Sequence, residues 1–115
     1  PAVSQPYLEL GAQNWGSYRQ GEDDQPQRAL TGGPAAVTVH HAEGDVRVRI
    51  RYRTAGGPAG AAVRVQAGSV TLAELPGAEA GAEAVIDVPA AGKETSFTLQ
   101  SLGGAAVYIE ELRLE

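Results

Sequence analysis

The sequence predicts an all-β protein built as a two-sheet antiparallel β-sandwich. Three observations lead to this prediction: several segments alternate apolar and polar residues, glycine and proline separate them at short intervals, and no stretch keeps a helical period. The chain has 15 glycines and 7 prolines in 115 residues. They leave about eight candidate strands, spaced by roughly 8–12 residues as in sandwiches and barrels.

The clearest candidate strand is residues 46–53, in which apolar residues occupy every even position and arginine every odd one. Successive side chains of a strand point to opposite faces, so this segment has one apolar and one basic face. The basic face could bind a polyanion, or acidic residues of neighbouring strands could lie opposite each arginine. The 14 acidic residues of the chain favour cross-strand pairing. The arginines concerned are Arg47, Arg49, Arg51 and Arg53.

The other candidate strands follow the same two-residue rule with shorter runs. Gly68 separates two of them, which form either a hairpin or one bent strand. Residues 11–33 do not alternate, so we expect a long, polar, irregular loop that holds the only tryptophan, Trp15. The remaining predicted strands are residues 7–10, 36–40, 63–67, 69–73, 84–88, 96–100 and 106–109.

Length and composition restrict the functional classes. We expect residues 1–115 to form a single β-sandwich domain cut from a larger protein, since methionine is absent and the first residue is proline. Without cysteine there is no disulfide framework and no thiolate chemistry. A net charge of -5 disfavours nucleic acid as a partner. No apolar run approaches the roughly 20 residues needed to cross a bilayer, so we predict no membrane insertion.

Catalytic constellations are not evident in the sequence, and we predict that the chain is not an enzyme. His40 and His41 are adjacent, so a strand would point them to opposite faces and away from a shared metal. The serines lie in no nucleophile-elbow context, and the glycine pairs lack the lysine and helix of a phosphate-binding loop.

The closing segment changes the parity of its apolar residues. Val107 and Ile109 are odd-numbered, whereas Leu112 and Leu114 are even-numbered. One extra residue in the strand, a β-bulge at residues 110–111, would produce this change.

The order of these features resembles the galactose-binding-domain-like jelly rolls, which include carbohydrate-binding modules of families 6 and 35. The resemblance covers a short first strand with Glu9, aromatic residues at 14–18, a central strand at 48–52 and the closing strand at 107–114. Similar domains accompany large glycosyltransferases and glycosidases. The resemblance therefore implies a jelly-roll fold and a carbohydrate-binding accessory module that is extracytoplasmic or at the cell surface, with a glycan or an adjacent domain as partner.

The resemblance also implies a structural calcium ion. In the similar modules an acidic residue of the closing strand and the glutamate of the first strand often ligate calcium together. Carried over by position, the ligands are Glu9 and Glu110, with Glu111 as the alternative to Glu110. Calcium takes about six to eight oxygen ligands, which loop carbonyls would complete. The alternative is that all three are solvated acids beside the arginines.

The segment around Trp15 offers the groups that sugar recognition requires. An aromatic ring stacks on the C–H face of a pyranose, while amides, carboxylates and arginine bond its hydroxyls. Trp15 could instead plug one end of the sandwich, in which case the chain is a structural or interaction domain without a soluble ligand. Burial of Trp15 distinguishes these two functions. The predicted ligand-binding residues are Asn14, Trp15, Tyr18, Arg19 and Asp23.

Overall fold

The computed structural model describes residues 6–20, 26–42, 44–57, 60–90 and 92–115. The described residues form strands joined by turns. No helix among them is long and apolar enough to cross a bilayer. The strands are β1 (Tyr7–Leu10), β2 (Trp15–Gln20), β3 (Pro26–Leu30), β4 (Ala35–His40), β5 (Val46–Ala55), β6 (Ala61–Ala67), β7 (Val70–Pro76), β8 (Ala82–Val88), β9 (Glu94–Ser101) and β10 (Ala106–Leu114).

These strands form two five-stranded sheets. The first sheet has the strand order β1-β4-β9-β6-β7, and the second sheet has the order β2-β3-β10-β5-β8. Every pairing of neighbouring strands is antiparallel. The prediction of a two-sheet antiparallel β-sandwich is confirmed.

The core lies between the two sheets and is mostly aliphatic. Along β5 the even-numbered side chains are buried, and Val48 and Ile50 have no exposed surface. They face the equally buried Val37, Phe97 and other side chains of the first sheet. Each large apolar side chain that is fully buried contributes about 1.5–3 kcal/mol of transfer free energy. The alternation read from the sequence is therefore the pattern that builds the core.

Most of the predicted strands are confirmed with small changes at their ends. Residues 63–67 and 69–73, left open as a hairpin or a bent strand, form a hairpin in which Ala67 pairs with Val70. Gly68 lies in its turn with a φ of +61°, a conformation that glycine adopts without steric cost.

Residues 11–33 were predicted as an irregular loop, and this prediction is wrong. The segment contains β2 and β3, which pair with each other, and β3 also pairs with β10. The register of the β2–β3 pair shifts between Trp15 and Tyr18. An irregularity of this kind breaks the two-residue alternation, which hides the strand from pattern reasoning.

The predicted bulge in the closing strand is confirmed. In the β10–β5 pair, Ile109 lies opposite Tyr52 and Glu111 lies opposite Arg51, so Glu110 is the extra residue. The bulge lets Ile109 and Leu112 both pack against the core although their numbers differ in parity.

We predict that Tyr52→Phe destabilises the protein by about 1–2 kcal/mol, the cost of a lost buried hydrogen bond. Tyr52 is 1% exposed, and its hydroxyl donates to the carbonyl oxygen of Pro76 at 2.8 Å. Since Tyr52 belongs to the second sheet and Pro76 to the first, this bond joins the two sheets. Urea unfolding followed by circular dichroism measures the loss.

Tyr7→Phe, at an exposed tyrosine, is the matched control and should change the free energy of unfolding by less than about 0.5 kcal/mol.

Burial also raises the pKa of Tyr52, so the folded state keeps the phenol proton more tightly than the unfolded chain. The contribution of the Tyr52 hydroxyl to the free energy of unfolding is fully present at pH values below its pKa in the unfolded chain. It is lost as the pH rises through its pKa in the folded state. Equal unfolding curves for Tyr52→Phe and Tyr7→Phe would show that the inter-sheet bond is unimportant.

Candidate functional site

A cleft with a volume of about 300 Å³ opens at one side of the sandwich, between the two sheets. We call it the Trp15 cleft. The first sheet contributes only β1, and the second sheet contributes β2, β3 and β10. Its wall is largely apolar, with an arginine and two glutamates among the lining residues. These residues are Leu8, Leu10, Trp15, Arg28, Ile109, Glu110, Glu111 and Leu112.

Trp15 has both a packing role and a surface in the cleft. It is partly buried and packs against the core, and its indole Nε1 donates to the carbonyl oxygen of Ala36 at 3.0 Å. The same carbonyl accepts the backbone N–H of Gly11 at 2.8 Å. Because Trp15 lies in the second sheet and Ala36 in the first, the indole joins the sheets at the cleft.

Asn14 stabilises the turn that leads into β2. Its φ is +68°, in the left-handed region that asparagine tolerates better than most residues. Its side-chain Nδ2 donates to the carbonyl oxygen of Pro34 at 2.8 Å, and its own carbonyl accepts the N–H of Thr31 at 3.2 Å. A Cβ on Gly33 would lie 2.7 Å from Asn14 Oδ1, so the turn leaves no room for a larger residue there.

The other predicted ligand-binding residues are described only in part. Tyr18 and Arg19 lie in β2, where Tyr18 pairs with Arg28 and Arg19 pairs with Gln27. Arg28 lines the Trp15 cleft and donates its Nε to the carbonyl oxygen of Gly16 at 2.9 Å. The side chains of Tyr18 and Arg19, and all of Asp23, lie outside the described residues.

Two of the three predicted calcium ligands, Glu9 and Glu110, lie beside basic side chains. Glu9 Oε1 lies 2.8 Å from His40 Nε2. The side chain of Glu110 is 5% exposed, and its carboxylate oxygens lie 3.8 Å from Arg51 Nε and 3.6 Å from Arg53 Nε. Glu111 lines the Trp15 cleft.

Glu9 and Glu110 each have a basic partner within the protein, and calcium binding through them stays a prediction. Leu8 and Leu10 point into the cleft, so Glu9 between them points to the outer face of the first sheet. Glu110 lies beside two arginines of β5 and also lines the Trp15 cleft. No three His, Asp or Glu side chains of the described residues converge on one point. Calcium binding by this chain therefore stays a prediction without a ligand set among these residues.

If the native state holds calcium, adding calcium raises the melting temperature and EDTA lowers it. An ion held only by the native state must raise the melting temperature as its concentration exceeds the dissociation constant. Differential scanning calorimetry with and without chelator measures this. A calcium-dependent rise would show that a ligand set exists that includes residues beyond those named here.

The arginines of β5 are paired across strands, as predicted. Arg47 Nε donates to Asp87 Oδ1 at 2.7 Å, and Arg49 Nη1 donates to Glu83 Oε2 at 2.9 Å. Arg49 also bonds the Glu115 carboxylate, which together with the bond to Glu83 raises the pKa of Arg49. Much of the basic charge on this face is therefore neutralised, which disfavours binding of a polyanion.

We predict that the pKa of Glu115 lies below its usual 4.5, because Arg49 bonds its carboxylate. The contribution of the Arg49–Glu115 pair to the free energy of unfolding is present at pH values above the pKa of Glu115 in the unfolded chain. It is lost as the pH falls through the lowered pKa of Glu115 in the folded state. Carbon-detected NMR titration of the carboxyl group measures the pKa directly. Arg49→Gln should raise it toward 4.5, and an unchanged value in that variant would contradict the assignment.

A second set of groups, not recognised from the sequence, lies on the outer face of the first sheet. Tyr7 is 50% exposed and stacks on His40 with ring centroids 4.5 Å apart and an interplanar angle of 18°. Beside this pair, Thr38 and Ser96 share a hydroxyl–hydroxyl hydrogen bond of 3.1 Å. We call Tyr7, Glu9, Thr38, His40 and Ser96 the Tyr7 surface.

Sequence reasoning missed the Tyr7 surface because it depends on pairing between distant segments. The parity of β1 puts Tyr7 and Glu9 on one face, but only the β1–β4 register brings His40 to Tyr7. His41 instead places Nε2 2.7 Å from the hydroxyl of Thr95. The adjacent histidines thus have separate partners, as predicted.

The fold is similar to those of several solved carbohydrate-binding modules. The CBM36-1 domain of a multidomain xylanase from the hindgut metagenome of Trinervitermes trinervoides is 18% identical, with a TM-score of 0.65 over 96% of this chain and 97% of that domain. The C-terminal CBM6 of LamC from Zobellia galactanivorans is 12% identical, with a TM-score of 0.56 over 96% of this chain and 98% of that one.

A third similar structure is CBM6cm-2 of Cellvibrio mixtus lichenase 5A, solved with cellotriose. It is 10% identical, with a TM-score of 0.54 over 97% of this chain and 89% of that one. No family model and no curated protein matches the sequence. The similarity confirms the resemblance to these jelly rolls at the level of the fold.

Proposed function

We propose that this chain is a non-catalytic carbohydrate-binding accessory module that binds a glycan at the Trp15 cleft. The solved structures that share its fold over nearly its whole length are named as carbohydrate-binding modules, and one of them holds cellotriose. The observation in this chain that carries the proposal is a cleft that combines an indole wall with an arginine and glutamates. An extracytoplasmic or cell-surface location, where such glycans occur, belongs to the same proposal.

The size and lining of the cleft suit one sugar unit of a chain. Binding pockets for small molecules usually have volumes of about 300–1,000 Å³, and this cleft lies at the lower end of that range. Trp15, Leu8 and Leu10 supply apolar surface for the C–H groups of a pyranose ring. The polar lining supplies donors and acceptors for its hydroxyls.

Glu111 is the acceptor best placed to bond a ligand. It lines the cleft, and within the described part of the chain it forms no ion pair. Glu110 lines the same cleft, but its carboxylate lies near Arg51 and Arg53. A ligand hydroxyl that donates to Glu111 would therefore not have to break an existing pair.

A second candidate function is a domain that packs against a partner without a soluble ligand. The indole N–H of Trp15 is already satisfied by Ala36 within the protein, as expected of a side chain that joins two sheets. In that case Trp15 stabilises the sandwich and the cleft remains without a sugar.

Glycan titration of the full chain separates the two functions. Because Trp15 is the only tryptophan, its fluorescence reports on the cleft directly. We expect a saturable change with at least one of cellotriose, β-1,4-galactotriose or a xylo-oligosaccharide. Glu111→Gln should weaken that binding about tenfold, as expected when a hydrogen bond to a charged group is lost.

Glu79→Gln is the matched control, because the Glu79 side chain lies in an exposed turn away from the cleft. It should leave the dissociation constant unchanged within about twofold, well below the tenfold step that 1.4 kcal/mol produces. If none of the oligosaccharides alters Trp15 fluorescence or yields heat in calorimetry, the glycan proposal fails for these sugars and the partner-domain function is favoured.

Trp15→Phe tests the packing role separately. We expect it to lower the free energy of unfolding by at least about 1 kcal/mol, because it removes one hydrogen bond and part of the ring that packs against the core. Thermal and urea unfolding measure the change. If the variant is as stable as the wild-type protein, the hydrogen bond from Trp15 to Ala36 does not contribute to the free energy of unfolding.

A further inference from the structure

We infer that the exposed edge of strand β8 is a docking site for an extended, basic segment of another polypeptide, which joins the second sheet as an added strand. Strand β8 (Ala82–Val88) ends this sheet and, among the described residues, pairs with β5 alone. Every second residue of an edge strand turns its N–H and C=O away from the neighbouring strand. A partner strand can bind these groups, as in other cases of strand addition.

Strand β8 is the most regular edge strand in the described part of the chain. Its register with β5 shows no shift, and its seven residues include neither proline nor glycine. Strand β1 has only four residues, the β2–β3 pair shifts its register, and β7 pairs with β6 through two shifts and ends at Pro76. Short length, irregular register and proline protect sheet edges from pairing. Strand β8 lacks these protections and is therefore the edge best suited to receive a strand.

The outer face of β8 presents an apolar side chain between two carboxylates. Val85 is 45% exposed. Glu83 and Asp87 lie two residues to either side of it and share its face, and their side chains are 46% and 75% exposed. The arginines of β5 bond one oxygen of each carboxylate, Oε2 of Glu83 and Oδ1 of Asp87. Within the described residues the other oxygen of each carboxylate accepts no hydrogen bond, so it can accept one from an added strand.

These charges select a basic partner. Side chains directly opposite each other on neighbouring antiparallel strands have Cβ atoms about 4.5–5.5 Å apart, close enough for opposite charges to attract. Because Glu83 and Asp87 are four residues apart, the complementary segment has lysine or arginine at two positions four apart, with an uncharged residue midway opposite Val85. The net charge of -5 also attracts a basic segment at longer range.

A second copy of this chain suits the edge less well. Antiparallel pairing of two β8 strands about Val85 would put Glu83 opposite Asp87 of the second copy, and like charges directly opposite each other destabilise a sheet. A register shifted by two residues would put a carboxylate opposite Val85 and would still supply no cation. Charge complementarity therefore favours a basic segment of another polypeptide.

The β8 edge and the Trp15 cleft can be tested independently. The cleft is lined by residues of β1, β2, β3 and β10, and β5 lies between β10 and β8. Binding at the β8 edge does not depend on the proposed glycan function, and failure of either leaves the other standing.

The test is NMR titration of the isotopically labelled full chain with the heptapeptide Thr-Lys-Val-Thr-Val-Lys-Thr, acetylated and amidated at its ends. As a strand, this peptide places both lysines and the central threonine on one face. We expect saturable amide shifts centred on residues 82–88, and binding that weakens as the ionic strength rises. The shuffled peptide Thr-Lys-Lys-Val-Val-Thr-Thr has the same charge but places its lysines on opposite faces. It should bind at least about threefold more weakly, since only one lysine can meet a carboxylate.

Substitution of both carboxylates tests the side-chain contacts. Glu83→Gln combined with Asp87→Asn should weaken binding of the first peptide roughly three- to tenfold, as expected when two exposed ion pairs are lost. Glu74→Gln is the matched control, because Glu74 is bonded to Arg64 in the same way on β7, the edge strand of the other sheet. It should leave the dissociation constant unchanged within about twofold.

Two N-methylated forms of the first peptide test strand addition itself. Methylation of alternate amides removes either the donors that face β8 or those that face solvent, so one form should lose binding and the other should keep it within about threefold. Equal binding of the two forms, equal binding of the shuffled peptide, or no shift at residues 82–88 would overturn the inference. Concentration-dependent shifts at residues 82–88 without peptide, together with a dimer in sedimentation equilibrium, would assign the edge to a second copy and would also overturn it.

Discussion

The burial of one face of β5 is the constraint on which the rest of this structure depends. Val48 and Ile50 are completely buried, and β5 lies between β10 and β8 in the second sheet. Because side chains alternate with a period of two, a slip of one residue would bury arginines in place of aliphatic residues. That penalty fixes the register of β5, and its neighbours then bring Asp87 and Glu83 to the arginines on the outer face.

The bulge at Glu110 is the main departure from this regular alternation. One extra residue lets β10 supply Ile109 and Leu112 to the core on either side of the irregularity. It also places Glu110 and Glu111 at the rim of the Trp15 cleft, where a regular strand would have had one residue. The polar part of the proposed glycan site is thus a consequence of the bulge, in keeping with the common occurrence of bulges beside functional sites.

Strand β1 supplies side chains to both faces of the first sheet although it has only four residues. It is an edge strand that pairs with β4 alone, so the short segment can present different chemistry on each face. Its aliphatic side chains close the cleft, while Tyr7 and Glu9 stand on the polar outer face. Solved structures that are 10–18% identical share this fold, so the architecture tolerates replacement of most of its residues.

The sequence by itself determined the all-β class, most of the strands and the bulge, since each depends on the two-residue period within one segment. The surplus of acidic residues favoured pairing of the β5 arginines, but the register between strands selected Asp87 and Glu83 as partners. Tertiary structure decided what depends on register between distant segments. It formed β2 and β3 where the pattern is irregular, stacked Tyr7 on His40, and bonded Trp15 to Ala36. It also placed Glu9 beside His40, and Glu110 beside Arg51 and Arg53. Parity within a strand fixes which face a side chain takes, but only packing of the two sheets fixes which residues meet there.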